Sequence, residues 1–281
     1  MQAAFNAQQS VIALVLGDRE SSLQLVEQGL ALAPDSASLA LARSFIAQSQ
    51  FDLSAARAWL EKAVQLAPGA AYPRARLAEI LLGSGELELA SDTVGKALEL
   101  APEDPFSLTV QGYCELTRYK TEQAIDAFEK ALQRDPEIAQ AHLGLGLALI
   151  RSGDFSAGRE LLEQAAHLDP TVSIYRSYLG KAYYEENRYS LSENELKRAI
   201  DLDPLDPTPY LYRSYLNLAD HKPVPALYDI EKSIELNDNR AVFRSSLLLD
   251  QDLGVRSVGL GTTYSKLGFD QIARKLSLIH I

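Results

Sequence analysis

The residues of this 281-residue chain whose types could do chemistry are four histidines, one cysteine, two Gly-x-Gly pairs and a group of aspartates. His142, His167, His221 and His280 are potential zinc ligands, yet none stands in His-Glu-x-x-His or at ligand spacing from a cysteine. Cys114 has no second cysteine to pair with and no histidine at a telling spacing, so it reads as a small buried hydrophobe. Gly144-x-Gly146 and Gly259-x-Gly261 could cradle phosphate only after a strand, and both lie inside helical stripes. Asp201, Asp203 and Asp206 crowd one turn without the Asp-x-Asp-x-Asp-Gly spacing and closing Glu of a calcium loop, which leaves turn and cap chemistry. The expectation is no catalytic residue, no metal site, no cofactor and no enzyme activity.

Bulk charge narrows the partners. A net charge of −11 argues against a nucleic-acid groove, where phosphate contacts need clustered Lys and Arg. Val11–Leu16 is apolar, but no Lys or Arg precedes it, so neither a signal peptide nor a membrane span is read there. One cysteine fits a reducing compartment and equally a cysteine-poor periplasmic protein.

The elements that must position any site show in Ala139–Pro170. Leu145, Leu149, Leu161, Leu162 and Ala165 fall at helical spacing, Gly153-Asp154 breaks the pattern, and Asp169-Pro170 ends it. The spacing predicts two short amphipathic helices joined by a turn. Prolines then recur every 34 residues, at Pro34, Pro68, Pro102, Pro136, Pro170 and Pro204, with Asp238 in the next slot. A fixed period of this length marks a solenoid, with helix-pair turns near Gly17, Ser49, Gly83, Arg118, Gly153, Asn187 and His221.

The unit resembles the tetratricopeptide repeat (TPR), whose pattern is W-x2-L-G-x2-Y, A-x3-F and P. Ala139–Pro170 supplies Leu145-Gly146, Leu149, Leu162, Ala165 and Pro170, departing at His142 for Trp and Gly158 for Ala. Ser173–Pro204 supplies Leu179-Gly180, Tyr183, Leu196, Ala199 and Pro204; Pro105–Pro136 supplies Gly112, Ala124, Phe128, Ala131 and Pro136. The resemblance implies an all-α helix-turn-helix solenoid, a right-handed superhelix, with seven repeats over residues 1–238. Residues 239–253 read as an insertion, with a connection over 239–249 and a lengthened helix capped by Asp250. A truncated eighth repeat follows over 254–275, and 276–281 read as a non-native tail. The chain is expected to be a fragment that has lost sequence at both ends. Asn239–Phe269 also resembles a segment of bacterial envelope proteins in which a TPR array precedes an outer-membrane β-barrel. That likeness implies a periplasmic or envelope location, the alternative being cytoplasmic.

TPR proteins bind peptides along the inner face of each repeat's first helix. Carrying over its second, ninth and twelfth positions gives Phe45, Tyr72, Phe106, Tyr113, Leu116, Leu147, Ile150, Ile174, Lys181, Tyr184 and Tyr215. The alternative is that several of these pack between neighbouring helices. Tyr113, Tyr184 and Tyr215 are expected to turn their rings outward along one groove. Arg76, Arg151 and Lys181 are too scattered for a carboxylate clamp. The resemblance thus implies a protein-interaction scaffold that holds a protein or peptide, with no direct membrane insertion. The alternative is a regulatory or targeting arm of a larger envelope protein or enzyme, or a spacer that binds nothing strongly.

Overall fold

The computed structural model describes residues 2–236 and 253–279, so the expected connection over 239–249, Asp250 and His280 lie outside the described residues. Among the described residues there are sixteen α-helices and no strand. They group into two compact units, Met1–Cys114 and Glu115–Ile281. The first unit holds α1 (Gln2–Val15), α2 (Arg19–Leu32), α3 (Ala37–Ser49), α4 (Leu53–Leu66), α5 (Ala71–Gly83), α6 (Leu87–Leu100) and most of α7 (Pro105–Thr117). The second holds α8 (Thr121–Arg134), α9 (Ala139–Ser152), α10 (Phe155–Leu168), α11 (Ser173–Glu185), α12 (Tyr189–Leu202), α13 (Pro207–Ala219) and α14 (Pro223–Glu235). It ends with α15 (Leu253–Lys266) and α16 (Asp270–Ile279), which runs into the residues read as a tail.

Local chemistry explains the helix ends. Asp18, Asp52 and Asp154 cap second helices by accepting from the backbone N–H of Ser21, Ala55 and Ala157, at 3.0, 2.9 and 3.1 Å. Asp104 and Asp206 do the same for first helices, accepting from Ser107 and Thr208. Each helix pair turns on one residue in the left-handed region. These are Gly17, Phe51, Gly85, Tyr119, Gly153, Asn187 and His221, spaced by 34, and then Gly268 after 47. The expected turn residues are these or stand within two positions of them. Glycine takes this conformation without cost, whereas Phe51, Tyr119 and His221 pay a steric penalty of ~1–2 kcal/mol.

Within each unit a second helix packs on its own first helix and on the first helix of the following pair: α4 on α3 and α5, α10 on α9 and α11, α12 on α11 and α13. In each unit the core follows three repeat positions along the second helices, and every member is buried. Small residues come first, Ala56 and Ala90, then Ala124, Gly158, Ser192 and Ala226. Four residues on are Leu60 and Val94, then Phe128, Leu162, Leu196 and Ile230, which fill the seam. Ala63, Ala97, Ala131, Ala165 and Ala199 complete the third column. Small residues let the helix axes approach, and the large column supplies the buried apolar area.

Helices α9 and α10 approach closely at Gly146 and Gly158, which explains why Gly158 stands where the pattern has Ala. A Cβ on Gly158 would meet the carbonyl oxygen of Gly146 at 2.6 Å, and that oxygen cannot rotate away. Gly95 on α6 would meet nothing within 4 Å. The same substitution therefore has opposite signs at the two sites. Gly95→Ala gains ~0.5–1 kcal/mol of stability from helix propensity. Gly158→Ala loses ~1–2 kcal/mol through overpacking, net of that gain. Urea melts of the two variants check this; equal signs would show that α9 and α10 separate freely.

Candidate protein-interaction face

The first helices carry the expected site residues, and the structure sorts them. In the first unit, Phe45 on α3, Tyr72 on α5 and Phe106 at the start of α7 come together around Arg76. The Arg76 guanidinium lies 5.0 Å from the Phe45 ring centre and 5.6 Å from that of Phe106. Tyr72 and Phe106 meet with ring centres 5.4 Å apart. Arg76 donates to Gln48 Oε1 at 2.7 Å and pairs with Glu79 one turn along its own helix. Its charge is thereby neutralised inside an aromatic cluster, where cation–π attraction gains from desolvation. Tyr72 remains 44 % exposed, while Phe45 and Phe106 are half-buried.

In the second unit the grouping forms around Lys181 on α11. Its ammonium lies 5.7 Å from the Tyr212 ring centre and 3.1 Å from Glu185 Oε1. Tyr212 touches Tyr178 and Tyr215, with ring centres 5.9 and 6.4 Å apart. Tyr184 stacks on Tyr189 at 6.0 Å, and burial holds its hydroxyl above the usual tyrosine range. Leu147, Ile150, Lys181, Tyr184 and Tyr215 are half-buried.

Tyr113 corrects the expectation of an outward ring. It is only 2 % exposed, and Leu116 and Ile174 are buried with it. These positions lie at seams where helices meet, so a ring of the right spacing packs inward when its neighbours close over it. The residues missed from the sequence are Tyr178 and Tyr212, both at the sixth position of a first helix, and Gln48 at the twelfth; Arg76, also at a sixth position, was read there only as a scattered cation. Tyr178 and Tyr212 recur at the sixth position in adjacent repeats, one turn after the second, whereas Ala42, Val110 and Gly144 hold it elsewhere, so the sequence carries little signal for this position.

An ionic network ties α10 to α11 and the turn that follows it. Tyr183 donates to Glu163 Oε1 at 2.7 Å, and Arg159 bridges Glu163 and Glu186 at 2.6 and 3.0 Å. Burial and the Glu163 contact push the Tyr183 hydroxyl up to about 12. Burial alone would raise Glu163, but the Tyr183 and Arg159 hydrogen bonds hold it below its usual value. His142 sits in the slot the repeat pattern gives to Trp, with Nε2 2.8 Å from the Pro136 carbonyl oxygen. With His167 and Glu160 it lines a surface cavity of about 610 Å3. Among the described residues no three or more His, Cys, Asp or Glu are placed to hold a metal ion. No described helix is long and apolar enough to cross a membrane.

Family models described as tetratricopeptide repeat match residues 47–106, 115–173 and 143–207, together more than half of the chain. The chain belongs to the tetratricopeptide repeat family. Its TPR helix pairs are similar to those in the APC/C hetero-tetramer Cut9–Hcn1, with a TM-score of 0.71, 18% identity and 93% of this chain covered. This chain spans 50% of the matched chain there. The human IFIT1 dimer with m7Gppp-AAAA gives a TM-score of 0.71 at 15% identity, covering 100% of this chain and 72% of that one. A tetratricopeptide repeat protein from Parabacteroides merdae gives 0.61 at 17% identity, covering 88% of this chain and 98% of that one. At these identities the likeness is one of TPR fold. Comparison with curated proteins gives no match.

Proposed function

We propose that this TPR chain is a protein–protein interaction scaffold that holds a peptide or partner protein against its first-helix face, and that it is a binder rather than a catalyst. The observation that carries the reading is the clustering of half-exposed aromatic rings on first helices, with their neighbouring charges already paired. Such a surface gains affinity by burying ring area, and the tyrosine hydroxyls can stay hydrated or bond a backbone. The IFIT1 match holds m7Gppp-AAAA, but here the net charge is −11, and Arg76 and Lys181 are neutralised by Glu79 and Glu185. A protein ligand fits that balance better than RNA.

The test is capture of partners from a cell extract by the immobilised chain, followed by measurement of affinity for whatever is captured. Tyr184→Ala is expected to weaken binding by ~1–2 kcal/mol, the loss typical of an interface anchor. Tyr228 on the second helix α14 is 63% exposed, and Tyr228→Ala serves as the matched control that leaves binding unchanged. Equal capture by all three proteins would remove the first-helix face as the site.

A further inference from the structure

We infer that the open side of α1 is a docking site for an amphipathic helix of another protein, patterned like this chain's own second helices. This surface holds none of the aromatic-cluster residues and binds independently of them. The repeat register defines it. Positions three, six and ten of α3 are Leu39, Ala42 and Ile46, all fully buried. They share one apolar cluster with Val26 of α2, the second helix that precedes α3. A Cβ on Gly29, three residues beyond Val26, would come within 2.6 Å of Leu39 Cδ2, so a small residue there makes room for a large one. The same seam closes at α9, where Gly144 at position six receives the Phe128 ring of α8. On α1 these three positions are Phe5, Gln8 and Ile12. Phe5 and Ile12 are 53% and 44% exposed, and Gln8, Val15 and Leu16 are exposed with them. The other side of α1 is fixed, with Ala7 in the α2–α3 cluster and Ser10 Oγ donating to the Ser22 carbonyl at 2.9 Å. An interface closed at α3 and α9 thus continues, uncovered, onto a rigid helix.

The register also dictates what fits. A second helix brings a small residue, a large apolar one four residues on and a small one three further. These are Ser22, Val26 and Gly29 in α2, and Ala56, Leu60 and Ala63 in α4. Phe5, like Leu39, calls for the last small residue, and the large middle one completes the apolar seam with Ile12 as Val26 does with Ile46. From Gln2 to Val15 α1 has no charged side chain, so burial of apolar area rather than ion pairing selects the partner. A second copy of the chain supplies such a helix badly. Helices α2, α4, α10, α12 and α14 each already pack on two first helices. Helix α16 has Ser277 at the position that holds Leu196 in α12 and Ile230 in α14, and so lacks the large residue.

The experiment is fluorescence polarisation of a labelled peptide with the α2 sequence, Arg19–Leu32, against the full chain. Saturable binding is expected, weakened about tenfold by Phe5→Ala and at least about tenfold by Ile12→Glu, as for anchors at a closed seam. Both residues are exposed, so the variants keep the fold. A peptide carrying Val26→Asp should bind at least about tenfold more weakly, because a carboxylate would be buried in the seam. Val224→Glu, at an exposed apolar residue of α14, is the control that leaves binding unchanged. No saturable binding, or binding indifferent to Ile12→Glu or to Val26→Asp in the peptide, overturns the proposal. An equal loss with Val224→Glu shows general adhesion and overturns it too. Sedimentation of the chain alone should give a monomer; a dimer abolished by Ile12→Glu would assign this side of α1 to a second copy instead.

Discussion

Phe128→Ala is expected to lower the free energy of unfolding of the second unit by ~4 kcal/mol, the range for emptying a buried phenylalanine site. Phe128 is fully buried on α8, in the large core column. Its ring tip fills the space that Gly144 leaves open on α9. A Cβ on Gly144 would overlap Phe128 Cζ and Cε1 and come within 2.9 Å of Cε2. The pair is thus a ring and its socket, and the two residues should be strongly coupled. Gly144→Ala alone is expected to cost ~2 kcal/mol, the overpacking term less the gain in helix propensity. In a Phe128→Leu background the same change should cost much less, because the shorter side chain no longer reaches the new methyl. A double-mutant cycle by urea denaturation, with the mid-point and slope followed separately, measures this coupling. Strict additivity would mean that α8 and α9 reposition without resistance and that the socket has no energetic meaning.

Asp229→Ala should cost ~3 kcal/mol, because it leaves a half-buried guanidinium without its counter-charge rather than merely deleting a surface pair. Asp229 on α14 is 2 % exposed. It accepts from Arg213 Nε at 2.9 Å and Nη2 at 2.6 Å, and from Asn217 Nδ2 at 2.9 Å. Both partners lie on α13, so one carboxylate ties a second helix to its first by three hydrogen bonds. The Arg213 guanidinium also lies 5.4 Å from the Tyr210 ring centre, which fixes the far side of its plane. Asp229→Asn keeps the shape and one acceptor, and should lose about half as much. Pairs this buried are weakly screened, so the loss should be nearly the same at ~0.1 and ~1 M salt. Exposed pairs such as Lys130–Asp126 should instead contribute little, and less at high salt. A salt-sensitive Asp229 effect would show that water reaches the pair.

What the amino-acid sequence determined by itself is the repeating grammar of the chain. Asp18, Asp52 and Asp154 cap helices, and Gly17, Gly85 and Gly153 allow a left-handed turn, through chemistry that acts within a few residues. Leu60, Phe128 and Leu196 are each buried at the same repeat position because a 34-residue period repeats the same helix face. These are local or periodic properties, and periodicity is visible in one dimension. Tertiary packing alone decided which face residues stay open. Phe45, Tyr113 and Tyr215 share the ninth position of a first helix, yet Tyr113 is sealed and the others are half-exposed. Spacing tells which way a side chain points, whereas exposure depends on how closely the neighbouring helices approach. The Arg76 cluster was hidden for the same reason. Gln48, Arg76 and Phe106 stand far apart in sequence on three helices, and only stacking those helices side by side brings a guanidinium between two rings.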